Sequence, residues 1–231
     1  MTDPPFPDDR ALGDFAYKVA EASLSLVPLA GGPLAVLLGT ILAPPLEKRR
    51  IQFLNDLARK VESLAGNVAA FQPEALAENE QFLSAVVATA QIADRTHVAE
   101  KREALRNAAL NAAVTVWPDE TFLLFLRLVD ELLPSEVRVL RFLRNPGQWW
   151  AAQGRTRTTA LDTNGAALFT AAFPERSPYE TRKIWVRLTD RDLADPPPTM
   201  GDSVSYDRVY AGFATSLGSR FLRFISDPPR R

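Results

Sequence analysis

Residues 46–66 read LEKRRIQFLNDLARKVESLAG, and the spacing of their side chains decides the fold class. Leu46, Phe53, Leu54, Leu57, Val61 and Leu64 recur at helical intervals and form one apolar stripe. Lys48, Arg49, Arg50, Asp56, Lys60 and Glu62 fall mainly on the opposite face. The segment is an amphipathic helix that needs partners to cover its stripe.

Toward the C-terminus the same grammar continues. A helical run is expected from about 73 to 114, carried by Leu76, Phe82, Val86, Val87, Ala90 and Ile92 and then by Val98, Leu105, Ala108, Leu110 and Ala113. That is long for a globular helix, so a kink is expected near Thr96-His97. Trp117-Pro118-Asp119-Glu120 interrupts it, and a further helix is read from about 119 to 133. Beyond Pro134 the elements shorten. A helix from Ser135 to Arg144 is stopped by Pro146-Gly147, and Trp149-Trp150 leads into a polar connector at 154–159. A short apolar helix follows at 165–173. Ser177-Pro178-Tyr179-Glu180 is a helix start, with a capping Ser, a Pro at the first helical position and a Glu three residues after the Ser. The helix it opens runs from about 178 to 193 and ends at Asp195-Pro196-Pro197-Pro198. Residues 203–214 alternate Val204, Tyr206, Val209, Tyr210 and Phe213 in a way that suggests a two-stranded ribbon, and 217–225 closes the chain as a short helix or strand.

Toward the N-terminus, residues 1–10 are Pro-rich and acidic, without apolar periodicity, and are expected to be a disordered leader. The acidic start is unlike a signal or transit peptide, which predicts a cytoplasmic chain. From Ala11, Leu12, Phe15, Ala16, Val19, Ala22 and Leu26 give another stripe. Between Glu21 and Glu47 lie 25 residues without a charge. Pro28, Gly31, Gly32 and Pro33 break that stretch, leaving Leu34 to Leu42, whereas a membrane-spanning helix needs about 20 apolar residues. It is read as a buried helical hairpin. The alternative is an amphitropic segment, residues 22–46, that leaves the core on activation and sits peripherally on the inner membrane. Leu34, Val36, Leu37, Leu38 and Ile41 would then contact lipid, with Lys48, Arg49 and Arg50 against anionic headgroups.

The expected architecture is therefore mainly α: a leader to residue 10, a helical bundle over 11–133, and a smaller α+β domain over 134–231. The element order of the latter, short helices, a capped third helix and then a ribbon, resembles a winged-helix domain over about 135–225. The resemblance implies a recognition helix at 178–193 offering Arg182, Lys183, Arg187 and Arg191, with Arg208 on the ribbon, to a protein partner or to DNA phosphates and base edges. Glu180, Asp190, Asp192 and Asp195 interleave with these cations and disfavour a duplex. In the N-terminal part, GGPLAVLL through PPLEKRR and RTHVAEKREALRNAALNAA resemble bacterial helical proteins of unknown function.

Composition narrows the chemistry. With 46% hydrophobic and 24% charged residues among 231, the chain has ordinary globular usage. Its formal net charge is −1, but the halves differ. Residues 1–115 hold 11 basic and 14 acidic side chains, and residues 116–231 hold 16 and 14, with Lys183 the one lysine among those 16. Arginine enrichment suits phosphate and carboxylate partners, and also follows from codon usage. There is no Cys, which excludes disulfides, thiolate zinc sites, iron–sulfur clusters and a Cys nucleophile. His97 is the one histidine, flanked at three residues by Asp94 and Glu100, and this is read as a solvated helix face. Neither GxGxxG nor GxxxxGK[ST] occurs. Trp117, Trp149, Trp150 and Trp185 are read as packing anchors. No catalytic residue, cofactor or metal is expected. The expected function is that of a non-enzymatic regulatory or adaptor protein using its C-terminal domain to bind a macromolecule, with homo-oligomerisation open. Membrane-acting effector and DNA-binding regulator are the alternatives.

Overall fold

A computed structural model describes residues 48–152 and 163–228, and these are mainly helical. They divide into two compact units, one reaching to Leu126 and including Asp227 onward, the other Arg127–Ser226.

In the first unit, α1 (Lys48–Ala65), a 3-10 turn (Ala69–Phe71) and the short α2 (Pro73–Ala77) precede α3 (Glu80–Arg95) and α4 (Ala99–Val114). The stripe of α1 is buried as its spacing requires: Phe53, Leu54, Leu57, Val61 and Leu64 all lie in the core, with Phe71, Leu76, Phe82, Val86, Leu105 and Leu110. The expected kinked run over 73–114 is instead three helices. Asn79 caps α3 by accepting from the Phe82 N–H at 2.9 Å, which fixes a new helix start. Thr96 and Val98 are extended, and the Thr96 hydroxyl accepts from the Val98 N–H at 3.2 Å. β-Branched residues favour that backbone, and the reversal lets α3 and α4 pack side by side, which one kinked rod cannot do. Gln81 then locks the far end: its side-chain amide donates to the Trp117 carbonyl at 2.6 Å and accepts from the Trp117 N–H at 3.1 Å. The Trp117 ring packs edge-on to Phe125 at 5.3 Å.

The division between the units falls inside α5 (Asp119–Glu131). The second unit continues with α6 (Pro134–Arg144), α7 (Pro146–Ala152), β1 (Thr163–Asn164), α8 (Gly165–Ala172), α9 (Pro178–Thr189), β2 (Ser203–Val204), α10 (Tyr206–Ala211) and α11 (Ser216–Phe224). Pro146 opens a helix rather than ending one: Asn145 accepts from the Gln148 N–H at 2.9 Å, and Pro sits at the first helical position, where its missing N–H costs nothing. Trp149 and Trp150 are therefore helical. The capping box at Ser177 and Glu180 forms as its spacing implies, with the hydroxyl accepting from the Glu180 N–H and the carboxylate accepting from the Ser177 N–H at 3.1 Å.

The expected ribbon over 203–214 is corrected. Only Ser203–Val204 is a strand, and it pairs antiparallel with Thr163–Asn164, across α8 and α9. Ser205 then caps α10 by accepting from the Arg208 N–H, so the Tyr/Val alternation is wound into a helix and Arg208 is helical. Gly212, at φ 77°, ends α10; a Cβ there would lie 2.8 and 2.9 Å from the carbonyl oxygens of Arg144 and Leu143. Of the two options for residues 217–225 the helix holds: 217–224 lie in α11, and Ile225 follows its end.

The core of this unit is aromatic. Trp185 is fully buried, edge-on to Phe169 at 5.5 Å and to Phe213 at 4.7 Å, and its indole N–H donates to the Asp195 carbonyl at 2.7 Å. Phe142 packs edge-on to Trp149, Trp150 and Phe173 at 6.1, 5.6 and 5.5 Å. The four tryptophans thus belong to packed interiors, Trp149 at its margin.

Candidate functional site

Of the five cations read from sequence as a contact surface, three make ion pairs within the second unit. Arg187, on α9, places its Nε 2.7 Å from Oε1 of Glu136, a carboxylate whose side chain is only 4% exposed. Glu136 turns its other oxygen to the Leu133 N–H at 2.9 Å, so one buried acid joins the start of α6 to α9. Arg191 lies 4.0 Å from Glu131 and donates to the Arg187 carbonyl at 3.1 Å. Arg208 pairs with Asp195 at 2.7 Å, donates to the Gly212 carbonyl at 2.6 Å and stacks on Phe213 at 4.4 Å. These three arginines have acidic partners within the unit. Lys183 is exposed and sits over the ring of Tyr179, itself 61% exposed, at 4.5 Å, while Arg182 is half-buried beside it. Arg182, Lys183 and Tyr179 are what remains of the α9 surface.

Sequence reasoning missed a second cluster in the same unit. Where α6 turns into α7 and α11 packs on α6, Arg141, Arg144, Asn145, Gln148 and Trp149 line a cleft of about 450 Å3 floored by Leu222. Arg141 and Arg144 are exposed, and neither makes an ion pair among the described residues. The Trp149 indole N–H donates to the Ala172 carbonyl at 3.3 Å, which holds its ring in place. Arg138 stacks over Trp149 and Phe173 at 5.6 and 5.4 Å and pairs with Glu175 at 2.6 Å, closing one flank. The readable signal was RFLRNPGQWW: two arginines three apart, an Asn cap, and an aromatic pair one turn on.

The first unit carries a cleft of its own, about 320 Å3, between α1 and α4. Gln52, Asn55, Asp56 and Arg59 come from α1, with buried Phe53 beneath them, and Arg102 and Arg106 come from α4. Arg59 pairs with Asp56 on its own helix.

Of the residues expected to meet a membrane, Leu34, Val36, Leu37, Leu38 and Ile41 lie outside the described residues, as does the whole of 22–46. Lys48 begins α1. Arg50 pairs with Asp94, and Arg49 donates to the Asp94 carbonyl at 3.4 Å, so these two cations meet the C-terminal turn of α3, where carbonyls and the helix dipole favour positive charge. Among the described residues no helix is long and apolar enough to cross a membrane. His97 is exposed in the α3–α4 turn, Asp94 is committed to Arg50, and among the described residues no three His, Asp or Glu side chains gather as metal ligands.

Among the described residues, Glu180, Glu131 and Arg127 have displaced titrations. Hydrogen bonds from the Ser177 backbone and hydroxyl, and then nearby cations, hold the Glu180 carboxyl below its ordinary range. The Arg127–Glu131 hydrogen bond at 2.6 Å lowers the Glu131 carboxyl and raises Arg127. All are solvent-facing helix ends or turns, and none lies in either cleft. Set against known protein families, curated proteins and solved structures, the chain matches none.

Proposed function

We propose that this chain is a non-enzymatic intracellular adaptor or regulatory protein that binds an acidic segment of a protein partner through its C-terminal unit. The observation that carries this reading is the cleft at the α6–α7 corner, where two exposed guanidiniums without an ion pair among the described residues stand beside a half-buried tryptophan whose indole N–H is hydrogen-bonded to the Ala172 carbonyl. Arg and Trp are the residues that most often concentrate binding energy at protein interfaces, and a ring fixed in advance loses little entropy on contact. Asn145 and Gln148 add amides that pair with a peptide backbone. Among the described lining residues the hydroxyl of Ser226 donates to the Leu222 carbonyl at 2.6 Å, and the chemistry proposed for this cleft is recognition.

The winged-helix-like reading of this unit is supported by part of its order, α6, α7, β1, α8, α9, β2, with the two strands antiparallel across the α8–α9 pair. The helix α10 stands where a second wing strand would be, and Arg187, Arg191 and Arg208 are engaged with acids, which favours a protein partner over a duplex. The membrane-effector alternative rests on residues 22–46, and two members of its flanking basic triplet are committed to Asp94.

The test places a photocrosslinking residue at Gln148 of the full chain, in the cells that express it. The expected result is a discrete protein adduct that disappears in the R141E/R144E variant. The absence of any adduct, together with duplex-DNA binding that falls steeply with salt and is lost in R182Q/K183Q, would replace this reading with DNA recognition.

A further inference from the structure

The α1–α4 cleft of the first unit has a charge balance that the described residues do not resolve. Arg102 and Arg106 are four apart on α4, so they stand one turn above the other on the same helical face. Like charges in that relation repel, and helices that carry them for structure alone usually interleave acids. Here none answers: among the described residues neither arginine makes an ion pair or a hydrogen bond to an acidic group, and Glu103, adjacent in sequence, is exposed without pairing to either. Arg59 faces the same space from α1, and the one acid in the lining, Asp56, is already paired with it. Three guanidiniums against one carboxylate leave an excess of two positive charges in about 320 Å3.

A second observation points inward. The Nε of Arg106 is shut off from water and has no hydrogen-bond partner. A buried N–H on a charged group without an acceptor is among the costlier features a fold can keep, and native structures rarely keep one without a reason. Its guanidinium is held toward the cleft with donors unspent, beside a second fork that is equally unspent.

We infer that this cleft binds a small phosphate-bearing anion carrying at least two negative charges, with Arg102 and Arg106 as bidentate donors and Arg59 as the opposing clamp. Guanidinium forks match phosphate oxygens in pairs, and the tetrahedral group accepts from several forks at once, which a planar carboxylate does less well. The cleft volume is at the small end for ligand sites, which fits a metabolite rather than a macromolecule. Asn55 and Gln52, at the rim, offer amides to whatever the phosphate is attached to. This site lies in a different unit from the proposed partner cleft and stands or falls without it.

The test is calorimetric titration of the full chain with inorganic pyrophosphate, in parallel with citrate. Pyrophosphate is expected to bind more tightly than citrate. Arg102→Glu is the informative variant, because a glutamate four residues before Arg106 creates a favourable helix pair in place of a repulsive one. It should therefore melt no lower than the parent while weakening pyrophosphate about tenfold or more. Arg106→Lys, which keeps the charge and loses the fork, should also weaken binding, and R141Q/R144Q should leave it unchanged. No heat at millimolar pyrophosphate overturns the inference, as does equal binding in the Arg102→Glu variant or equal loss in R141Q/R144Q. Citrate binding as tightly as pyrophosphate would overturn the phosphate assignment.

Discussion

Replacing Arg187 with alanine separates a structural arginine from a recognition arginine. Glu136 is 3% exposed and its carboxylate has two partners, the Arg187 Nε at 2.7 Å and the Leu133 N–H at 2.9 Å. Arg187→Ala leaves that carboxylate buried with one neutral donor. Removing one partner of a fully buried pair costs about 3–5 kcal/mol. The Arg187 side chain is 43% exposed, so water enters the space it vacates and rehydrates part of the freed oxygen, which brings the expected loss to about 2–3 kcal/mol. The reciprocal change, Glu136→Gln, leaves a guanidinium that solvent already reaches and keeps an acceptor for Leu133, so it should cost about 1 kcal/mol. The asymmetry is the signature. Three of the four tryptophans, Trp149, Trp150 and Trp185, lie in this unit, so urea unfolding followed by their fluorescence reports its stability. The double variant should be more stable than Arg187→Ala alone, since it no longer buries an unmatched charge. If Arg187→Ala stays within about 0.5 kcal/mol of the parent, as an ordinary surface change would, the ion pair does not hold α6 to α9. Arg187 would then return to the candidate contact surface.

Two further outcomes follow from local geometry. Gly218→Ala drives a methyl into the backbone carbonyl of Leu193, where nothing flexible can yield, and should destabilise the second unit by roughly 2 kcal/mol or more in the same assay. The Glu180 carboxyl is held below its ordinary range by donors from Ser177, so it binds its proton less readily folded than unfolded. The stability it adds is complete above the unfolded value of about 4.3 and is lost as pH falls through the lower folded value. Ser177→Ala should therefore flatten the acid limb of the stability profile below that point, and an unchanged limb would contradict the assignment.

The sequence announced the helices well because burial of a stripe is a local property. Phe53, Leu57, Val61 and Leu64 are spaced to be buried, and they are. Breaks were legible where a residue has one strong preference, as at Pro73, Pro118 or Ser177. They were missed where the deciding interaction is a side chain meeting its own backbone. Asn79 starting α3, Asn145 starting α7 and Ser205 starting α10 are all caps without the Glu that completes a box, so a run, a stop and a ribbon were read in their places.

The charges show what a sequence window cannot rank. On a helix considered alone, Arg187 and Arg191 are solvent-facing cations near Asp190, and nothing in a window of twelve residues ranks them below Arg141 or Arg144. Their rank is set by partners distant along the chain: Glu136 is 51 residues from Arg187, and Arg208 finds Asp195 across 13. Arginines that find such partners are spent on cohesion, and those that do not are what the protein has left for others. By that measure Arg102 and Arg106 in one unit and Arg141 and Arg144 in the other are, with Arg182 and Lys183, among the available cations of the described residues, and each of the first two pairs borders a cleft. The proposed acidic protein segment is assigned to the second because Trp149 offers an apolar anchor there. The first has amides, a buried Phe53 and one carboxylate, Asp56, already paired with Arg59, beside its arginines, so in the proposed reading charge carries recognition, and a compact anion is what charge selects.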